Sequence, residues 1–289
     1  MLIPKEKELS ELKVKKILLV ICIFFLVNAN DVEAKKQSRK NVIKMTQWEE
    51  VNNILPRYSK FTVVDLETGM KFRVQRRAGS NHADVQPLTS KDTAIMKEIY
   101  NGKWSWKRRA IIVVSDDGKI AASMHGMPHG GGALKNNFPG HFCIHFNGST
   151  THRTNFMDLS HKLMILKSAG NLEKYIQQTD PYDLVNAYIA GIKQQDSKIV
   201  SLISLQELDW SKILPSIENI RISRMEILPP EDIGDELSLT VPVEVNWQIN
   251  GVGGRNFTGV IKLVRFMPNE QWKVDSVQFL SENGLYPGK

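Results

Sequence analysis

Apolar residues recur at every second position through much of residues 61–146, switch to helical spacing at 171–192, and return to alternation beyond residue 220. Strand side chains alternate between two faces, whereas helical ones recur every three to four residues. This order therefore predicts an α+β chain. It has a mostly-β N-terminal domain with one or two helices, then a domain of helices and a curved antiparallel sheet. In the first part, 61–66 is a β-branched run, Glu67-Thr68-Gly69 a turn, and 70–75 an alternating strand, which together make a hairpin. A short helix is expected over 90–100, capped by Ser90 or Asp92. Strands are expected at 110–114, from the Asp116-Asp117-Gly118 turn toward His125, and at 142–146 after a glycine-rich loop. In the second part, helices are expected at 171–177, from Pro181 to Ile192 and near 205–213. Strands follow at 220–228, 237–249, 257–266 and 272–280.

The N-terminus reads as a targeting segment. Lys13, Lys15 and Lys16 precede the apolar run 17–27, and small residues follow at Ala29 and Ala34. A basic region, a short apolar core and small residues at a cleavage point describe a secretory signal peptide. The run is shorter than the roughly 20 residues that a membrane span requires. We assign 1–34 as signal peptide and 35–60 as a basic tether that ends in a helix-compatible piece at 48–54. The expected location is outside the cell or at its wall, with no stable membrane span after cleavage; an uncleaved N-terminal anchor is the alternative.

Charge divides the chain where the periodicity changes. Residues 35–170 carry 22 basic and 10 acidic side chains, and residues 171–289 carry 11 and 16. This separates a basic domain at 61–165 from an acidic one at 171–289 and favours an anionic partner for the former. The chain carries no nucleic-acid-binding motif, and export argues against such a partner.

All seven histidines lie between His82 and His161, and cleavage would remove Cys22, leaving Cys143 alone. A single cysteine outside the cell makes no internal disulfide and is either buried and inert or reactive. Its neighbours decide between these. In the extended run Gly140-His141-Phe142-Cys143-Ile144-His145-Phe146, alternation puts His141, Cys143 and His145 on one face and the apolar residues on the other. Imidazoles beside a thiol are what a cysteine nucleophile needs.

His125-Gly126 followed by Gly140-His141-Phe142-Cys143-Ile144-His145 resembles the signature of YkuD-type L,D-transpeptidases. That signature is a His-Gly followed at a distance by Ser/Thr-His-Gly-Cys-hydrophobic-Arg. The resemblance spans about residues 60–160. It implies Cys143 as the acyl-accepting nucleophile, His125 as the general base and His141 as the second motif histidine. It further implies that Gly126, Phe142 and His145 line the substrate site, and Trp106, from the neighbouring aromatic and basic run, is expected to join them. Gly140, Phe142 and His145 depart from the family's Ser/Thr, Gly and Arg. The implied reaction is acyl transfer on peptidoglycan stem peptides through a thioester, resolved by an amine or water, with no cofactor. The second domain's order of elements resembles NTF2-like accessory domains.

Two other classes use the same residues differently. His82 and Asp84, with His129, would serve a zinc-dependent wall peptidase, although His-x-Asp and His-x3-His spacings differ from the usual ligand patterns of such enzymes. The alternating Trp104-Ser105-Trp106-Lys107-Arg108-Arg109 run would suit a non-catalytic protein that binds sugars or an anionic wall polymer.

Overall fold

The computed structural model describes residues 42–151, 156–227 and 233–286. The expected signal peptide and Cys22 lie outside these residues, as does His152. Eleven strands and eight helices are present among them, in two packed units. Among the described residues, no helix is long and apolar enough to cross a membrane.

The first unit is a closed barrel. Strands β1 (Ile43–Lys44), β2 (Lys60–Asp65), β3 (Lys71–Ala78), β4 (Ala83–Pro87), β5 (Arg108–Ser115), β6 (Gly118–His125) and β7 (Phe142–His145) follow in chain order. They pair as β1-β6-β5-β2-β3-β4-β7, and β7 returns to β6 to close the ring, leaving β1 as a short parallel addition. Closure removes the unpaired edges that an open sheet would expose. The inside is filled by the inward residues of each strand, among them Val63, Val74, Val85, Val113, Met124 and Ile144, all buried. Helix α1 (Trp48–Ile54) adds Trp48 and Val51 to this core. The segment from residue 43 onward, expected as the end of a tether, is thus part of the barrel unit. Arg76 explains why: its buried guanidinium donates to the carbonyls of Leu55 and Gly79 and to the Asn52 amide oxygen, tying α1 to β3. Helix α2 (Ser90–Ile99) has close to the expected extent, but its N-cap is Thr89 rather than Ser90 or Asp92; Ser90 is already helical and Asp92 completes the capping box from inside the first turn.

The second unit carries helices α3 (Leu159–Ser168), α4 (Leu172–Gln178), α5 (Pro181–Gln194), α6 (Ser197–Ile203) and α7 (Trp210–Ile213). These precede an antiparallel sheet ordered β11-β10-β9-β8. Its strands are β8 (Ile217–Met225), β9 (Ser238–Ile249), β10 (Gly253–Val264) and β11 (Lys273–Val274). Along β9 every second residue, Leu239 through Ile249, is buried, as its alternation demands. Helix α5 starts cleanly because Asp180 accepts from the Tyr182 and Asp183 amides and Pro181 needs no amide partner. The strand expected at 272–280 ends after Val274. Asp275 caps the Gln278 amide and begins helix α8 (Ser276–Glu282). The helix expected near 205–213 is confined to α7.

The two units share α3. It packs on β5 and β6, while Leu163, Met164 and Leu166 join the second core. The expected boundary at 165–171 therefore falls within and just after a helix that belongs to both. Lys167 clamps the same seam, with 2.9 Å to Glu67 and 2.5 Å to Asp196.

Candidate functional site

Strand alternation decides which residues leave the barrel wall outward. Ala83 and Val85 on β4, Ala122 and Met124 on β6, and Phe142 and Ile144 on β7 all fill the barrel. Asp84, Ser123, His125, Cys143 and His145 therefore share the outer face. Register then sets neighbours, with Asp84 opposite Cys143 and Ser123 opposite His145.

Six of the seven histidines lie here in one continuous chain of ring contacts. Centroid separations are 4.4 Å for His82–His145, 3.8 Å for His145–His161, 6.3 Å for His161–His125, 5.2 Å for His125–His129 and 4.4 Å for His129–His141. Helix α3 delivers His161, whose Nδ1 lies 2.9 Å from the Ser123 hydroxyl. The loop 126–141 delivers His129 and His141, which pair through two 2.9 Å backbone hydrogen bonds, each amide donating to the other carbonyl. Two glycines make that pairing possible. A Cβ on Gly130 would stand 2.4 Å from the His141 ring, and one on Gly140 would stand 2.5 Å from the His129 carbonyl oxygen. Gln86, fully buried on β4, holds the same loop by donating to the Gly140 carbonyl and accepting from the Ala133 and Leu134 amides.

Cys143 is the hub. Its Sγ lies 3.3 Å from His129 Nε2 and 3.6 Å from Asp84 Oδ1. Asp84 Oδ1 lies in turn 3.3 Å from His82 Nε2 and 3.9 Å from His141 Nε2. The nearest imidazole to the thiol is thus His129, rather than the His125 or His141 expected from the motif, although both also come within 4.8 Å of Sγ. Orientation of the rings follows from carbonyl partners. The carbonyls of Thr150, Met127 and Gly131 lie 2.8, 3.1 and 3.0 Å from Nδ1 of His82, His129 and His141. A carbonyl only accepts, so each Nδ1 carries the proton and each Nε2 is turned to the centre.

Burial dominates the electrostatics. It pushes the Cys143 thiol well above its usual range, and the Asp84 charge and hydrogen bond push the same way. The thiol at rest is therefore protonated, the reverse of the thiolate that flanking histidines suggest from sequence. Burial also holds His125 and His161 neutral, reinforced by neighbouring histidines and Arg108. For Asp84, burial raises the pKa, but contacts with His82, His141 and Cys143 outweigh it and leave the carboxyl below its usual value.

The expected substrate contacts lie in different surroundings. Phe142 is wholly buried inside the barrel against Phe72 and Phe138, because the alternation that turns Cys143 to the outer face of the wall turns its neighbour inward. His145 is sandwiched between the His82 and His161 rings and is 4% exposed, out of reach of a substrate carboxylate. Gly126 sits under the Tyr100 ring, where a Cβ would come within 2.5 Å. Trp106 is different: it is half exposed and covers His125 and His129 at 4.7 and 5.5 Å. Of the alternative metal set, His82 and Asp84 meet directly, while His129 lies against Cys143. Beside Trp106 opens a cavity of about 490 Å³ between the two units, lined by Lys107, Arg108, Met127, Lys193 and Asn219 among others.

Comparison of the chain with protein-family models, curated proteins and solved structures gave no match.

Proposed function

We propose that the protein is an exported, cysteine-dependent acyl transferase acting on peptidoglycan stem peptides, a divergent relative of the YkuD-type L,D-transpeptidases. The observation that carries this reading is the 3.3 Å approach of Cys143 Sγ to His129 Nε2, with the far side of the ring tied to the Met127 carbonyl. Nε2 is then the acceptor for the thiol proton, which gives His129 the part of general base. Because burial and Asp84 keep the thiol protonated at rest, proton transfer accompanies attack on the peptide carbonyl. Sulfur adds to the carbonyl carbon, the amine of the terminal residue leaves with the proton that His129 took, and a thioester remains. A second amine or water then displaces Cys143.

The cationic cavity beside Trp106 supports an anionic substrate. Lys107 and Lys193 both line it, and burial lowers the pKa of each, with a counteracting contribution from Glu218 on Lys107 and from Asp158 on Lys193. An anion entering there relieves two desolvated charges and brings a stem peptide to the rim formed by Trp106 and Met127. The acidic second unit, which we liken to NTF2-like accessory domains, forms the other wall through Glu218, Asn219 and Asn250.

Incubation with muropeptides carrying tetrapeptide stems tests the proposal. Expected are a shortened or cross-linked stem and an acyl adduct on Cys143 in the intact-protein mass. Product formation that persists in Cys143→Ala, or no product with the native chain, would sink it.

A further inference from the structure

We infer that this centre binds one divalent transition-metal ion of the zinc class through Cys143 Sγ, Asp84 Oδ1 and His141 Nε2. The inference stands apart from the acyl-transfer reading, since it rests on where lone pairs point and not on what the thiol attacks.

Three features of the geometry carry it. First, Cys143 Sγ lies 3.6 Å from Asp84 Oδ1, Asp84 Oδ1 lies 3.9 Å from His141 Nε2, and the ligand atoms of the three residues all lie within 4.8 Å of one another. Tetrahedral zinc with ligand bonds of about 2.0–2.3 Å has ligand–ligand edges of about 3.3–3.8 Å, which small side-chain rotations reach from these separations. Second, His141 Nδ1 already faces the Gly131 carbonyl, the outer partnership that fixes a metal-binding imidazole with Nε2 inward. His82, whose Nδ1 faces the Thr150 carbonyl, extends the same pattern to Asp84. Third, the loop that supplies His141 is closed by Gly130, Gly140 and Gln86, so this ligand is held before any ion arrives.

The donor set selects the ion. One thiolate, one imidazole and one carboxylate, with water in the fourth position, suit zinc or cobalt, and the sulfur and nitrogen donors disfavour calcium and magnesium. On binding, the Cys143 S–H bond breaks, the sulfur electron pair forms the metal–sulfur bond and the proton leaves to solvent. A metal-bound thiolate is no longer a free nucleophile, so metal-bound and acyl-accepting forms of the protein exclude each other.

The test is titration of the chelator-treated full chain with Co²⁺, read by absorption, followed by displacement with Zn²⁺. Expected is one Co²⁺ per chain with a sulfur-to-cobalt charge-transfer band that Zn²⁺ abolishes and Ca²⁺ leaves intact. Cys143→Ser should remove the band, and His141→Gln should weaken binding by more than the ~10–100-fold that losing an outer-shell partner costs. Circular dichroism checks that both variants fold. Three outcomes would overturn the inference: no stoichiometric Co²⁺ at micromolar free metal, binding unaffected by Cys143→Ser, or displacement by Ca²⁺. Turnover of muropeptides in chelator reads the acyl-transfer proposal separately.

Discussion

The outer wall of the barrel and the core of the second unit lie on opposite sides of α3, yet they bury opposite kinds of side chain. Behind α3, Leu184, Val200, Val245, Trp247, Leu263 and Phe279 make an almost wholly apolar interior. In front of it, His82, Asp84, Gln86, Ser123, His125, His145 and His161 are as deeply buried, each with polar needs that an apolar neighbour does not meet. Burying polar groups costs free energy unless every partner is in place. One side of the helix is therefore built for cohesion, and the other gives up cohesion to hold reactive groups at fixed separations.

The sharpest way to break this contrast is Cys143→Ala. It should lower acyl transfer by at least ~10³-fold while moving the urea midpoint little; a comparable loss of stability would make Cys143 a packing residue. Phe279→Ala probes the other side. It removes a ring that packs against Tyr188, Trp247 and Phe257 and should cost ~3–5 kcal/mol. Alkylation of Cys143 in the remaining folded protein should keep its native rate.

pH separates the two sides next. His125 and His161 have pKa values lowered below 6.5 by burial and by neighbouring charges, so the folded chain keeps them neutral where the unfolded chain takes up protons. Below about pH 6.5 the unfolded state binds more protons. Stability should therefore fall with pH from there down to the lowered folded values, by at most ~1.4 kcal/mol per pH unit for each ring. Urea unfolding between pH 7.5 and 5.5 measures this. His161→Gln should flatten the dependence, and an unchanged slope would mean that the ring is not held neutral. The smallest effect belongs to Tyr188→Phe, which deletes a buried 3.0 Å hydrogen bond to Ser276 and should cost ~1 kcal/mol in equilibrium unfolding.

What the sequence reveals follows how local each signal is. Helices α1 and α2 and the β2–β3 hairpin are legible because their turns and periodicity lie within a dozen residues. Strand β4 escapes, since Ala-Asp-Val-Gln-Pro has only two apolar residues, and its polar ones are those that serve the site. Helix α3 escapes for another reason. It is buried from both sides, so Leu163, Met164, Ile165 and Leu166 form a block rather than a stripe. In the site, alternation along β7 correctly aligns His141, Cys143 and His145, but no spacing announces His129 or His161. The first arrives through a loop that doubles back on two glycines, and the second comes from α3, a helix within the first domain that its periodicity does not reveal.

Trp106 has a practical consequence. An indole half open to solvent lies over His125 and His129, and imidazolium quenches indole emission more strongly than neutral imidazole does. The centre thus carries its own fluorophore. The emission lost in Trp106→Phe isolates this signal from the other five tryptophans, so protonation, acylation or metal uptake at Cys143 can be followed in real time without attaching a dye.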